Sequence, residues 1–437
     1  MKDLKEKAKQ LFLQVLKELD IEKVLREKVI VKSELLDISS ERINLSDYSE
    51  IIVIGFGKAS LIMGAVVESL MGDRISRGIL ISDRRHNIEV KSEIIIAGHP
   101  SPDANSLKAG EKILNLIRTC SSNALVIFLI SGGGSSLVEF PASSDLGLKE
   151  LRNLNKALVS CGATIREINI IRKHISQIKG GRLGYEARNL RSIVLFLSDV
   201  NPGDLQSLAS NPLLPDDATV EEFYTIVDKY ELIDRFPRQI SELIKQRQIS
   251  PLPSGWNNRN LTNLLLLDNL DALKIACRSA QKMGFQVTVD QNHFEGEYKS
   301  VAAQLIDQLI YLRSLQAERD ICLVSGGEVS CPVSGEGRGG RNQEFVLYSA
   351  ARLAALGIND TVVLSCGTDG IDGNSSAAGA VADAESISNS IKRGLDYTDY
   401  LERNDSHTFY KKLGGLVLTG PTGNNVRDIR LLLASKL

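Results

Sequence analysis

The chain is predicted to be an α/β protein built as two α/β domains, and three observations carry that prediction. Short runs of Ile, Val and Leu alternate with amphipathic stretches of helical period, which is the pattern of strand–helix–strand units. Glycine-rich turns follow most of those runs. The length, 437 residues, exceeds what one ordinary hydrophobic core serves.

Taken in order, the chain opens with an amphipathic helix, because Leu4, Ala8, Leu11, Phe12, Val15, Leu16 and Leu19 fall on one stripe. Its other face mixes Lys and Glu, so the helix is expected to pack on the protein and not on a membrane. Strands are predicted at Ile51–Ile54, Gly78–Ile81, Ala124–Ile130 and Ser192–Leu197. Others follow at Leu264–Leu267, Phe285–Val289, Ile321–Val324, Thr361–Leu364 and Leu416–Leu418. Such continuous apolar runs suit mostly parallel sheets covered on both faces. Between Tyr224 and Asn260 the composition turns to charged helix and then to Pro251-Leu252-Pro253-Ser254-Gly255-Trp256-Asn257-Asn258, which reads as a connection. The predicted division is a Rossmann-like domain over 1–225, with its sheet flanked by helices, a linker over 226–262, and a second α/β domain over 263–437.

Composition narrows the function. A formal net charge of −2 offers no general attraction to nucleic acid or to anionic membranes. The six cysteines show no CxxC pair or metal-ligand spacing and read as reduced thiols. The N-terminus lacks the apolar stretch of a signal peptide, and no apolar run is long enough to span a bilayer. A cytoplasmic protein is expected.

The turns after the strands carry the chemistry, since open α/β sheets bind ligands beyond the carboxyl ends of their strands. Gly55-Phe56-Gly57-Lys58-Ala59-Ser60, with Asp83 ending the next strand, suits either a dinucleotide or a phosphoryl group. Ser131-Gly132-Gly133-Gly134-Ser135-Ser136 offers consecutive amides and hydroxyls, a concave anion site. Neither string is a P-loop, and the second is not a GxSxG elbow. Arg172, Lys173, His174, Lys179 and Arg182 crowd one short segment, which points to an anionic ligand. Asp199 and Asp204 in one loop, and Asp369 and Asp372 in another, place carboxylates beyond strand ends. Mg²⁺ on ATP needs such groups, and so does proton removal from an acceptor hydroxyl. Ser334–Glu344 interleaves four glycines with Arg338 and Arg341 before an apolar helix, a mobile loop bringing guanidinium groups to a transferring phosphoryl group.

Together these strings resemble the glycerate 2-kinase family, whose C-terminal half is known as the MOFRL domain. The matching segments are Gly57–Ala59, Gly98–Asp103, Ser131–Leu137, Arg172–Leu183, Ser325–Glu328, Gly339–Glu344, Gly367–Gly373, Asn404–Ser406 and Thr419–Asn425. They cover nearly the whole chain in the family's order. The resemblance implies ATP, Mg²⁺ or another divalent cation, and transfer of the γ-phosphoryl group to the 2-hydroxyl of D-glycerate, with an active site in the interdomain cleft. It implies Lys58, Arg341, Asp199 and Asp369 as catalytic residues, the two carboxylates also being the metal candidates. Ser131, Gly132, Gly133, Gly134, Ser135, Arg172, Lys173, Ser325, Gly326, Gly327, Glu328 and Asn342 are implied as substrate or phosphate binders. ATP and D-glycerate are the expected partners, without nucleic acid or membrane, and a homodimer is compatible.

The chain departs from the family pattern at Asn374-Ser375-Ser376, where Pro-Thr-Asp is usual, and at Asn211, where Gly is expected. Two other classes compete. A nicotinamide-dependent hydroxypyruvate reductase would use the Gly55 turn and Asp83. A non-catalytic sugar-phosphate sensor would need only the glycine loops.

Overall fold

The computed structural model describes residues 2–39, 41–256, 259–292 and 295–437. It divides into two compact units, Ile21–Leu266 and a second made of Met1–Asp20 with Leu267–Leu437.

In the unit Ile21–Leu266, strands β1 (Val29–Lys32), β2 (Leu35–Ile38) and β3 (Glu41–Asn44) form a small antiparallel sheet. The main sheet is built from β4 (Glu50–Phe56), β5 (Arg77–Ser82), β6 (Glu93–Ile96), β7 (Ala124–Ser131), β8 (Arg191–Leu197) and β9 (Leu261–Leu267). Their order is β6-β5-β4-β7-β8-β9, and the pairings from β6 across to β8 are all parallel. This is the doubly wound order of Rossmann-like sheets, with the order of strands reversing between β4 and β7. Every residue of β7 is buried, as a central strand covered on both faces requires.

The expected division of the chain is corrected at both ends. The charged stretch 226–262 is not a free linker. Helices Val220–Lys229 and Arg238–Lys245 bury Ile226, Val227, Ile240 and Ile244 in a satellite core with Phe223 and Leu158. Charged side chains on the outer faces mask that stripe in composition. Asn257 and Asn258 of the proline-containing run lie outside the described residues. The N-terminal helix Lys2–Glu18 belongs to the second unit, burying Leu4, Ala8, Leu11, Phe12 and Val15 there. Each of the Leu, Phe and Val side chains contributes about 1.5–3 kcal/mol when fully covered.

The second unit holds β10 (Gln286–Val289), β11 (Ile321–Gly327), β12 (Thr361–Gly367), β13 (Gly379–Asp383), β14 (Leu416–Val417) and β15 (Asp428–Ala434), in the order β10-β11-β15-β12-β13-β14. The expectation of a mostly parallel sheet fails here. β10 and β11 run parallel, while β15 is antiparallel to β11 and β12, and β13 to β12 and β14. The cause is β15, a fully buried strand that returns between β11 and β12.

Candidate active site

Because the sheet order reverses between β4 and β7, their two C-terminal turns meet. The Lys58 amide donates to Gly132 O at 2.9 Å and the Ala59 amide to Ser131 Oγ at 3.0 Å. Gly57 has φ +128°, and a Cβ there would collide with the Ser131 hydroxyl and carbonyl. Ser131, only 1 % exposed, therefore holds the neighbouring turn. The amides that a dinucleotide pyrophosphate would require of this turn are already used. Asp83, the carboxylate a ribose would need, pairs with Arg84 at 2.9 Å.

The β7 turn differs. Gly133 adopts φ +83°. Among the described residues nothing accepts from the amides of Gly133, Gly134 and Ser135, which leaves a concave set of donors suited to an anion. The Lys58 side chain lies 3.3 Å from where a Gly133 Cβ would stand, and the His99 ring 3.1 Å. The Asp199 carboxylate presses against the corresponding face of Gly132. The stem of a lysine, a carboxylate and a row of amides thus surround one glycine turn. Desolvation by the packed turn, reinforced by the charge of Lys58, lowers the His99 pKa, although the side chain stays open to solvent.

A pocket of about 770 Å³ opens beside the turn, lined among others by Ser135, Ser136, Glu139, Asn155, Arg172 and Lys179. Arg172 comes from the helix Ile165–His174, started by a capping box between Thr164 and Glu167. Its Nε donates to Asn155 Oδ1 at 2.8 Å, which orients the guanidinium. Burial lowers its pKa, yet a guanidinium stays charged. Among the described residues its Nη atoms have no hydrogen-bond partner, so its fork is available. Lys179 is committed differently. It pairs with Glu139, which also accepts from Ser176 Oγ at 2.5 Å, and burial pushes its pKa down.

The rest of the basic segment is structural. Lys173 pairs with buried Asp216 at 2.6 Å, so its assignment as a phosphate binder is corrected. His174 Nδ1 bonds Ile170 O at 2.8 Å, and Arg182 donates to the carbonyls of Ser250 and Pro251. The departure at Asn211 is absorbed locally. Its φ is +52°, a region that Asn tolerates better than most residues, and its amide donates to Asp216 at 2.7 Å.

In the second unit Arg341 opens the helix Arg341–Ala355 and closes a fork on Asp428 at the start of β15, with Nε–Oδ2 2.6 Å and Nη2–Oδ1 2.9 Å. Nη1 reaches Glu328 at 2.9 Å. Burial alone would lower the Arg341 pKa, but the two carboxylates outweigh it and raise it. The expected mobile guanidinium is therefore held in place, and so is its loop. Asn404 Oδ1 accepts from the Ser334 and Gly335 amides, Asp405 from the Arg338 amide, and Asn374 Oδ1 from the Gly339 amide.

Ser325, Gly326 and Gly327 form the end of β11 and not a ligand loop. Asn269 fills the face of Gly326 and accepts from the Gly327 amide at 2.8 Å, while Ser325 sits between Asp290 and Arg430. Asn342, 1 % exposed, bonds Asp372 and Ser365. Asp372 takes the Asn342 and Gln343 amides at 3.1 and 2.9 Å, a helix cap that removes it as a metal candidate. Burial pushes its carboxyl up to about 6. Asp369 accepts from the Ile371 amide at 3.0 Å and remains half-buried. Among the described residues no group of three or more His, Cys, Asp or Glu side chains gathers in metal-binding geometry.

Two family models match the chain: a domain of unknown function (DUF4147) over residues 7–245 and the MOFRL family over residues 321–428. A D-glycerate 2-kinase of Thermotoga maritima is 33 % identical over 97 % of this chain and 98 % of its own. The crystal structure of a glycerate kinase from the same organism superposes with a TM-score of 0.82 at 30 % identity, covering 99 % of this chain and 100 % of that one. The chain belongs to the glycerate kinase family. A relative from Agrobacterium vitis, 36 % identical over 87 % of this chain and 98 % of its own, carries a hydroxypyruvate reductase name.

Of the residues singled out from sequence, the glycerate kinase fold brings Lys58, Gly132–Ser135 and Asp199 together, with the Arg172 pocket alongside. His99, Glu139, Asn155 and Asp428 were missed as single polar residues. His99 meets Gly133, and Asp428 meets Arg341, only in space, and Glu139 is recognisable only once Lys179 is seen against it.

Proposed function

We infer that this protein is a glycerate 2-kinase, using ATP to phosphorylate the 2-hydroxyl of D-glycerate. The observation that carries the reading is the β7 turn, where the open amides of Gly133–Ser135 stand between Lys58 and Asp199. Phosphoryl transfer asks mainly for positioning and for charge stabilisation, and this turn supplies both. Lys58 is proposed to meet the transferring group, and the amides to cradle the phosphate oxygens. Mg²⁺ arriving on ATP needs only one or two protein carboxylates. Asp199, against Gly132, fits that need on the donor chemistry present. In the second unit Asp369 is the carboxylate proposed to serve the reaction, and Arg341 acts by holding Asp428 and the helix start in place.

The reductase alternative is disfavoured by the same geometry, since the Gly55 turn has spent its amides on the β7 turn. One pair of assays separates the readings. D-glycerate with ATP and Mg²⁺ should release ADP, while hydroxypyruvate with NADH or NADPH should leave the absorbance at 340 nm unchanged. The reverse result would assign the reductase.

A further inference from the structure

The pocket beside the β7 turn is larger and more apolar than an anion site requires. One wall is a face of the helix Leu148–Ser160, where Leu151, Asn155 and Val159 fall four residues apart in a stripe, flanked by Arg152 and Lys156. Leu151 and Leu154 are also tied into the satellite core, but Val159 stands 70 % exposed at the pocket. Pro100, Pro102 and Ile175 add further apolar lining.

Charge points the same way. Four cations line the pocket, Arg152, Lys156, Arg172 and Lys179, against the single carboxylate of Glu139, which Lys179 already neutralises. D-glycerate, a small monoanion without an apolar part, uses neither the volume of about 770 Å³ nor the ledge. A nucleoside triphosphate uses both, together with the excess positive charge, and pockets that bury such ligands pair apolar walls with a few placed polar groups.

We propose that this pocket is the nucleotide site, with the purine on the Leu151–Val159 ledge and the phosphates running past Arg172 to the Gly133–Ser135 turn. Asn155 contributes there as well: its Oδ1 is held by Arg172, which directs its amide group and leaves that donor for the edge of the base. The ledge is thus a specificity element for the base, distinct from the groups that handle phosphate. This rests on the kinase reading, but its test does not depend on turnover.

The test uses the full chain and Val159→Glu, a change at an exposed position that leaves the core intact. Equilibrium binding of ADP should weaken by about tenfold or more beyond any loss shown by tripolyphosphate, which registers the new carboxylate's charge alone. An equal loss for both ligands would overturn the proposal. In steady state the change should fall on KM for ATP, with KM for D-glycerate within about twofold. Val159→Ile, which keeps the apolar surface, should retain wild-type ADP affinity. An intermolecular NOE between the adenine protons and labelled valine methyls should vanish in Val159→Glu. If ADP affinity is unchanged, or if KM for D-glycerate rises instead, the pocket does not hold the purine. If ADP binds as described but no phosphoryl transfer occurs, the kinase reading fails and the nucleotide site stands.

Discussion

Arg341 and Asp428 meet through two hydrogen bonds of 2.6 and 2.9 Å, joining the first residue of a helix to the first residue of the central buried strand β15. Asp428 is 0 % exposed and lies opposite Gly327 of β11 and Gly367 of β12 in the sheet register. A fork of this kind fixes both direction and distance, which a single charge cannot do. Arg341 therefore belongs to the scaffold that orders the end of this sheet.

Removing the fork leaves a buried carboxylate without its main partner. Arg341→Ala should destabilise the protein by about 3–5 kcal/mol, read from urea denaturation, because an uncompensated buried charge is costly. Arg341→Lys should lose less stability but still slow the reaction, since it keeps the charge and not the geometry. Wild-type stability in Arg341→Ala would contradict the assignment.

Lys58 has the opposite profile. It lies beside Gly133, and among the described residues it forms no ion pair. Lys58→Ala should lower kcat by ~10²–10³ with little change in denaturation midpoint, the scale of losing one preorganised charge at the transition state. An unchanged kcat with a raised KM for ATP would reduce its role to ground-state nucleotide binding.

Glu344 makes a pH prediction. It is 1 % exposed, and burial pushes its carboxyl up to about 7. Ser406 lies close enough to moderate the shift, although neither carboxylate oxygen completes an aligned hydrogen bond among the described residues. A raised carboxyl pKa means the folded state holds the proton more tightly than the unfolded chain. Its favourable contribution is complete below the ordinary value of 4.5 and is lost as pH rises through about 7. Asp372, raised to about 6, acts in the same direction. His174, whose pKa burial lowers, acts oppositely, favouring the folded state as pH rises toward 6.5. Glu344→Gln isolates the first effect. Relative to wild type it should gain on the order of 3 kcal/mol between pH 4.5 and pH 8. Parallel stability curves for the two proteins would refute the burial argument.

Asn374 replaces the proline that resembling sequences carry, and the replacement is used. Its amide donates to Gly339 O at 3.1 Å, its Oδ1 accepts from the Gly339 amide at 2.8 Å, and its Nδ2 donates to Gly337 O at 3.2 Å. Proline can make none of these three bonds. Asn374→Pro should raise hydrogen exchange at the Gly339 amide and cost about 1–3 kcal/mol. Exchange rates that stay at wild-type values would show that Asn404 and Asp405 hold the loop without it.

Much of the first unit was legible in the sequence because its strands are continuous apolar runs and its turns are glycine-rich. Both signals are local. Lys58, the Gly132–Gly134 turn and Asp199 follow predicted strands, so parallel pairing alone brings them to one sheet edge. The second unit was less legible for a reason of topology. Asp428–Ala434 contains buried Asp428 and Arg430, which break the apolar run, and its antiparallel place between β11 and β12 depends on partners far back in the chain. Ser325-Gly326-Gly327 misled for a related reason: glycine there serves the close approach of Asn269, not of a ligand. Lys173 and Asn342 look like binders until Asp216 and Asp372 are seen against them.

The central claim is tested most directly by ³¹P NMR of the product formed from D-glycerate, ATP and Mg²⁺. Transfer to the 2-hydroxyl predicts ADP and one new phosphomonoester resonance, split into a doublet by the single proton on C2. A triplet would place the phosphate on the 3-hydroxyl, and the absence of any new phosphomonoester would contradict the kinase assignment.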